Sequence, residues 1–289
     1  MNTRPLPAPS SGPRPVAAFT VDVEDWYQGT IDFDAPVTER VVRNTDTLLA
    51  LLDDAAVKAT FFVQGLVALR FPELVRRLLA EGHEVQSHGH THRPLFGMDR
   101  AALTRELDAA KKSVEDAGGS KVTAFRAPDF SILGSNLWAL EVLAESGFTV
   151  DSSVFPIGMR RYGIGGWSCA PQTLRFAGGR ALLEVPVATW ERGRLRVPVG
   201  GGGYARLLPR ALLERGLRSC VAAGRPPVVY CHPYECNPKE LDEYKGRVPL
   251  SYRLHQGLGR AALVARMRAL FAVLPFGRLD DVLAAWSLA

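Results

Sequence analysis

Short apolar runs that end in charged residues alternate with amphipathic stretches along almost the whole chain. This alternation constrains the fold more than any other feature. Residues 16–23, 58–63, 83–87, 122–126, 148–153, 181–187 and 227–232 read as buried strands. Residues 38–55, 72–80, 99–117, 136–146, 209–223 and 260–273 read as helices; the first carries Val41, Val42, Thr45, Leu48, Leu49 and Leu52 at helical spacing. Strand–helix alternation implies a parallel sheet with helices outside it. Seven strands favour an α/β fold of the distorted, partly closed (β/α)7-barrel type, with a C-terminal extension, over an open sheet.

The Pro- and Ser-rich stretch 1–15 reads as a disordered segment, and residues 16–289 as a single catalytic domain. Residues 172–208 read as an irregular excursion from the barrel. Their glycine run, Gly200–Gly203, is followed by no Lys-Ser/Thr pair, so it is expected to be a flexible loop on the substrate side rather than a phosphate cradle.

Composition narrows the function classes. Of the 289 residues 47% are hydrophobic, enough for a sizeable core. The formal charge of +5 comes from scattered Lys and Arg, without the basic runs or aromatic interleaving used on nucleic acid, so no nucleic-acid partner is expected. The basic balance is weakly suited to an acidic polymer or to peripheral contact with a membrane. No apolar run is long enough to span a bilayer. The N-terminal stretch lacks the apolar core of a secretory signal, and the four cysteines form no C-x-x-C pair. Together these give an expectation of reduced thiols and a cytoplasmic location. The spacing of Cys231 and Cys236 fits no common zinc pattern.

Active sites of parallel α/β folds gather where strands end. The first strand ends in Asp22-Val23-Glu24-Asp25-Trp26 and the third in Ser87-His88-Gly89-His90-Thr91-His92. The next ends in Arg126-Ala127-Pro128-Asp129, another leads into Asp151-Ser152-Ser153, and the last ends in His232-Pro233-Tyr234-Glu235. His88 and His92 stand four apart, so their imidazoles can converge on one ion. Two neutral histidines and one carboxylate leave positions open on a divalent ion for water and substrate. A second carboxylate can take a proton, an arginine can orient it, and a distant histidine can protonate a leaving nitrogen. The pattern therefore suits metal-assisted amide hydrolysis. The ion expected is zinc, with cobalt, nickel or manganese as alternatives.

Phe19-Thr20-Val21-Asp22-Val23-Glu24-Asp25-Trp26, the His88–His92 stretch, Phe125-Arg126-Ala127-Pro128 and Val229-Tyr230-Cys231-His232-Pro233 occur in the order seen in polysaccharide deacetylases of the chitooligosaccharide-deacetylase homology type, which the chain resembles. Residues 201–209 and His255-Gln256-Gly257-Leu258 resemble more narrowly the deacetylases of exopolysaccharide and exosortase gene clusters. The resemblance implies removal of N-acetyl groups from amino-sugar residues of a glycan or its precursor. It implies Asp22 as base, His88 and His92 as metal ligands, Arg126 orienting Asp22, His232 as general acid and Asp151 as its helper. The backbone N–H of Asp129 would help hold the oxyanion.

Many family members have adjacent acids, base then ligand; here Val23 intervenes. The third ligand is then Glu24, which shares a strand face with Asp22, or Asp25 as the alternative. His90 reads as a spacer, a group behind the ligands or one facing solvent, and not as a third ligand; His83 and His255 read as structural, His255 unless it sits where the excursion meets the site. Trp26, Trp167 and Tyr204 are candidates for flat faces against sugar rings. A small-molecule amidohydrolase on the same barrel and an inactive glycan-binding protein are the competing readings.

Overall fold

The computed structural model describes residues 16–244 and 246–288; the stretch 1–15, expected to be disordered, lies outside the described residues. The strands are β1 (Ala17–Val23), β2 (Thr60–Val63), β3 (Glu84–Ser87), β4 (Ala124–Phe125), β5 (Val150–Asp151), β6 (Gln172–Arg175), β7 (Ala181–Glu184), β8 (Thr189–Arg192), β9 (Leu195–Pro198), β10 (Val228–Cys231) and β11 (Phe276–Gly277). The helices are α1 (Trp26–Thr30), α2 (Arg40–Asp54), α3 (Gly65–Arg70), α4 (Pro72–Ala80), α5 (Arg100–Gly118), α6 (Trp138–Glu145), α7 (Gly202–Leu207), α8 (Arg210–Ala222), α9 (Leu250–Gly257), α10 (Arg260–Phe271) and α11 (Leu279–Ala285). Each expected strand and helix forms, the strands being shorter than their apolar runs.

The main sheet runs β10-β1-β2-β3-β4-β5-β7-β6, with β11 beside the start of β1. Its pairings are parallel except β6 with β7. The fold is thus mixed α/β with a mostly parallel, barrel-like sheet. Among the described residues no ladder joins β7 to β10, so the barrel does not close. Single backbone bonds stitch that seam, Ala188 N–H to the Val228 carbonyl at 2.8 Å and Tyr230 N–H to the Gly200 carbonyl at 2.6 Å.

The stretch 172–208 is not the irregular excursion expected from sequence. It holds β6, the antiparallel hairpin β8–β9 and α7. The glycine run enters α7, and Gly201 bridges to Tyr230, so it is an ordered connection rather than a loose loop. Segments such as Gln-Thr-Leu-Arg in β6 carry too little apolar alternation to announce a strand; long-range pairing with β7 makes it one.

Strand β1 shows how the fold sorts side chains. Every residue in it is buried. Because side chains alternate across a strand, Phe19, Val21 and Val23 share a cluster with Leu48 and Leu52 of α2, Leu74 and Leu78 of α4 and Leu107 of α5. Each such buried side chain contributes about 1.5–3 kcal/mol. Ala18 instead meets Phe62, and Leu279 and Val282 of α11, at the strand-start end of the barrel. The even-numbered face continues through Thr20 to Asp22 and Glu24, at the other end of the barrel.

Candidate metal centre

At the end of β1 the even-numbered face turns polar. Asp22 is 2% exposed and Arg126 is fully buried, yet their side chains pair at 2.9 Å. Burying that guanidinium is tolerated because its donors are used. Arg126 Nη1 also donates to Thr20 Oγ1 at 2.7 Å, Nε to the Ser152 carbonyl at 3.1 Å and Nη2 to Ser152 Oγ at 2.9 Å. Its plane lies over the Phe62 ring, 4.4 Å from the centroid. Asp22 is therefore presented in one fixed orientation.

Two residues further on, Glu24 lies between the histidines of the loop after β3. His88 Nε2 lies 3.2 Å from Glu24 Oε2, and His92 Nε2 is in close contact with the same oxygen. The three donors lie within 4.8 Å of one another and all three residues are buried. The far side of each ring is pinned: His88 Nδ1 faces the Arg126 carbonyl and His92 Nδ1 the Gly29 carbonyl, each at 2.9 Å. In the neutral ring, an Nδ1–H donated to a carbonyl leaves the Nε2 lone pair for an ion beside Glu24, an arrangement that prepares a metal ligand. His92 also holds a left-handed backbone, φ 64°, a cost of order 1–3 kcal/mol that surrounding structure must offset.

The donor set fits a divalent cation. His92 Nε2 is buried without a hydrogen-bond partner, and orphaned buried polar atoms are rare unless something else satisfies them. Burial alone would push the Glu24 carboxyl up, but the charges of His92 and His232 and the hydrogen bond with His88 hold it well below the usual range. Burial would push His92 down, but the Glu24 charge outweighs it and raises it.

His232, at the end of β10, faces the same carboxylate from the opposite side, its Nε2 3.8 Å from Glu24 Oε1. The Tyr234 hydroxyl donates to Glu24 Oε1 at 3.2 Å, and its ring stacks on His232 with centroids 4.8 Å apart. Burial pushes His232 down, but Glu24, Glu235 and Asp22 together raise it to about 9.

The other candidates separate. Asp25 points away from the histidines. It caps α1, accepting from the Tyr27 and Gln28 amides, and binds the Thr38 amide and hydroxyl. Asp151 does not touch His232. It accepts from Ser153 Oγ at 2.5 Å and adjoins Glu184, fully buried like itself. Burial raises Asp151, and burial with the Asp151 charge raises Glu184 well above the usual range.

Trp26, expected to offer a face to sugars, is 1% exposed and packs on Tyr244, so it is core. Trp167 is part-buried against the core. Tyr204 is half-buried, its hydroxyl 3.1 Å from that of Tyr162. Asp129 has a left-handed backbone, φ 54°, and its side chain, 3.8 Å from Arg161, is half exposed. His90 faces Ser113 of α5, away from the ligand atoms. The four cysteines are buried and free. Sequence reading missed Glu235 and Tyr234; the only signal was an acid three residues after His232.

Residues 152–284 match a domain family of unknown function, DUF3473. The chain is 34% identical over 152 residues to a chitooligosaccharide deacetylase of Sinorhizobium fredii, covering 52% of this chain and 63% of that protein. It is 36% identical over 103 residues to one of a Bradyrhizobium species, covering 35% and 44%. The chain thus spans roughly half the length of these curated relatives. The crystal structure of a candidate polysaccharide deacetylase from Mycobacterium smegmatis aligns over 99% of this chain and 94% of that one, with a TM-score of 0.60 at 22% identity, which shows a common fold. Residues 13–150, just under half of the chain, match the family model described as polysaccharide deacetylase.

Proposed function

We propose that the protein is a divalent-metal-dependent hydrolase that removes N-acetyl groups from amino-sugar residues of a glycan or its precursor. The observation that carries this reading is the buried Glu24–His88–His92 cradle with an Arg126-held carboxylate on one side and His232 on the other. His88, His92 and Glu24 would hold the ion, zinc being our choice. Such an ion supplies Lewis acidity that polarises the acetyl carbonyl and eases deprotonation of water.

The remaining work falls to side chains. Asp22 takes the proton of the attacking water. Arg126 keeps that carboxylate aimed. His232 gives a proton to the amine nitrogen as the C–N bond breaks, and the Asp129 amide helps to hold the developing oxyanion. The aromatic group of Tyr162, Tyr204 and Tyr230 would line the sugar side. The wider setting we assign, exopolysaccharide synthesis in the cytoplasm, rests on the motif likeness; among the described residues no helix is long and apolar enough to cross a membrane.

Acetate release from N-acetylglucosamine oligomers tests the reading. Release is expected to need about one bound divalent ion per chain, to stop with chelator and to return with added zinc or cobalt. His88→Ala is expected to abolish both metal uptake and release. Full activity of metal-free protein would overturn it.

A further inference from the structure

We infer that Glu235 is the positioning residue of the proton donor His232, and that α7 and the end of α9 hold Glu235 in place. The inference rests on the deacetylase reading of the site. It assigns to Glu235 the helper role that the family likeness gave to Asp151.

One carboxylate oxygen makes two bonds to the same residue. Glu235 Oε2 accepts from the backbone N–H of His232 at 3.0 Å and lies 3.1 Å from its ring Nδ1. That double attachment fixes the ring torsion and places the proton of Nδ1 on the Glu235 side. Nε2 is left facing the centre, 3.8 Å from Glu24 Oε1, and Tyr234 stacked at 16° fixes the ring plane. A carboxylate on the remote nitrogen is the general device for orienting a catalytic imidazole and stabilising its protonated form.

Glu235 is itself held. Its other oxygen, Oε1, lies 3.1 Å from Arg206 Nε in α7. Arg206 Nη1 donates to the Gln256 and Leu258 carbonyls at 2.6 and 3.1 Å. The backbone of α7 comes so close that a Cβ on Gly202 would stand 2.2 Å from Glu235 Oε2; only glycine admits the approach. The two stretches of the narrower likeness, residues 201–209 and 255–258, lie far apart in the chain and meet at Arg206, which is ion-paired with the donor's partner.

In the amide reaction water adds to the acetyl carbon, giving one proton to Asp22. The C–N bond then breaks, and the nitrogen takes the proton of His232 Nε2. Acetate and amine leave, and solvent exchange returns a proton to His232 and removes one from Asp22. An aryl acetate such as 4-nitrophenyl acetate skips the donor step, because its phenolate leaves unprotonated.

The metal-loaded protein is compared with Glu235→Gln, Glu235→Asp and Gly202→Ala on N-acetylglucosamine tetramer and on 4-nitrophenyl acetate. In Glu235→Gln the amide-to-ester ratio of kcat is expected to fall about 100-fold, within the range of general acid catalysis, with KM little changed. Glu235→Asp is expected to restore part of the ratio, and Gly202→Ala to lower it. A parallel loss on both substrates, or no loss on either, overturns the proposal. A downfield Nδ1–H proton resonance of His232, present in the native protein and lost in Glu235→Gln, checks the contact without activity; its absence from native protein also overturns the proposal. A native protein that shows this resonance and cleaves the ester but no N-acetyl oligomer would refute the deacetylase reading and leave the contact standing.

Discussion

Asp22 and Glu24 stand two positions apart on one strand face, yet acquire different partners. Asp22 meets a buried arginine and Glu24 meets three histidines. Asp22→Asn keeps an acceptor for Arg126 while removing the base. It is expected to lower acetate release about 10²–10⁴-fold with metal uptake retained, checked by an acetate assay beside a metal titration. Arg126→Ala strands a buried carboxylate and empties the space over Phe62. It is expected to cost about 3–5 kcal/mol in urea unfolding. At this scale much was legible: the period of a strand puts Asp22 and Glu24 together, and spacing pairs His88 with His92. Glu235 was not legible, because its contact depends on the tight turn Pro233–Cys236 folding the acid back onto the preceding ring.

The first helical turn after β1 explains why adjacent acids differ. Asp25 is spent on α1, binding two amides of its first turn and, with its second oxygen, Thr38. Asp25→Ala is expected to cost about 1–2 kcal/mol, as loss of an N-cap does, and to leave metal uptake in place. Glu24→Ala is expected to lose the ion. Thermal unfolding and metal content of the two variants check this, and loss of metal in Asp25→Ala alone would reverse the assignment. A strand alternation can rank Glu24 above Asp25. The helix that consumes Asp25 has only five residues, too short for periodicity to reveal.

Over the whole molecule, the strand-start end of the barrel carries its own electrostatic load. Glu84 on β3 and Asp280 on α11 line a cavity of about 340 Å³ with Leu183, Leu279 and Leu283. Burial first, then the Asp280 charge, push the Glu84 carboxyl up to about 7, against hydrogen bonds from Thr60 and Gln86. The folded chain holds this proton more tightly than the unfolded chain, where the carboxyl titrates near 4.5. The stabilisation is full below that value and fades as pH rises through about 7. Between pH 5 and 8 it is expected to shrink by about 1–3 kcal/mol. Glu84→Gln is expected to flatten that dependence in urea unfolding at the two pH values. An equal slope in both proteins would refute it.

The sequence by itself determined the alternation of strands and helices, the polar strand ends and the pair His88–His92. These follow from local periodicity and spacing, which a chain carries before it folds. Tertiary structure alone decided that Trp26 is core and that residues 172–208 pair into strands and a helix. It also decided that Asp151 is paired with Glu184 and not with His232, and that Arg206 ties α7 and α9 to Glu235. Each of these depends on which distant segments become neighbours. That choice is made by burial and pairing across the whole barrel, not by the order of residues along any one of its strands.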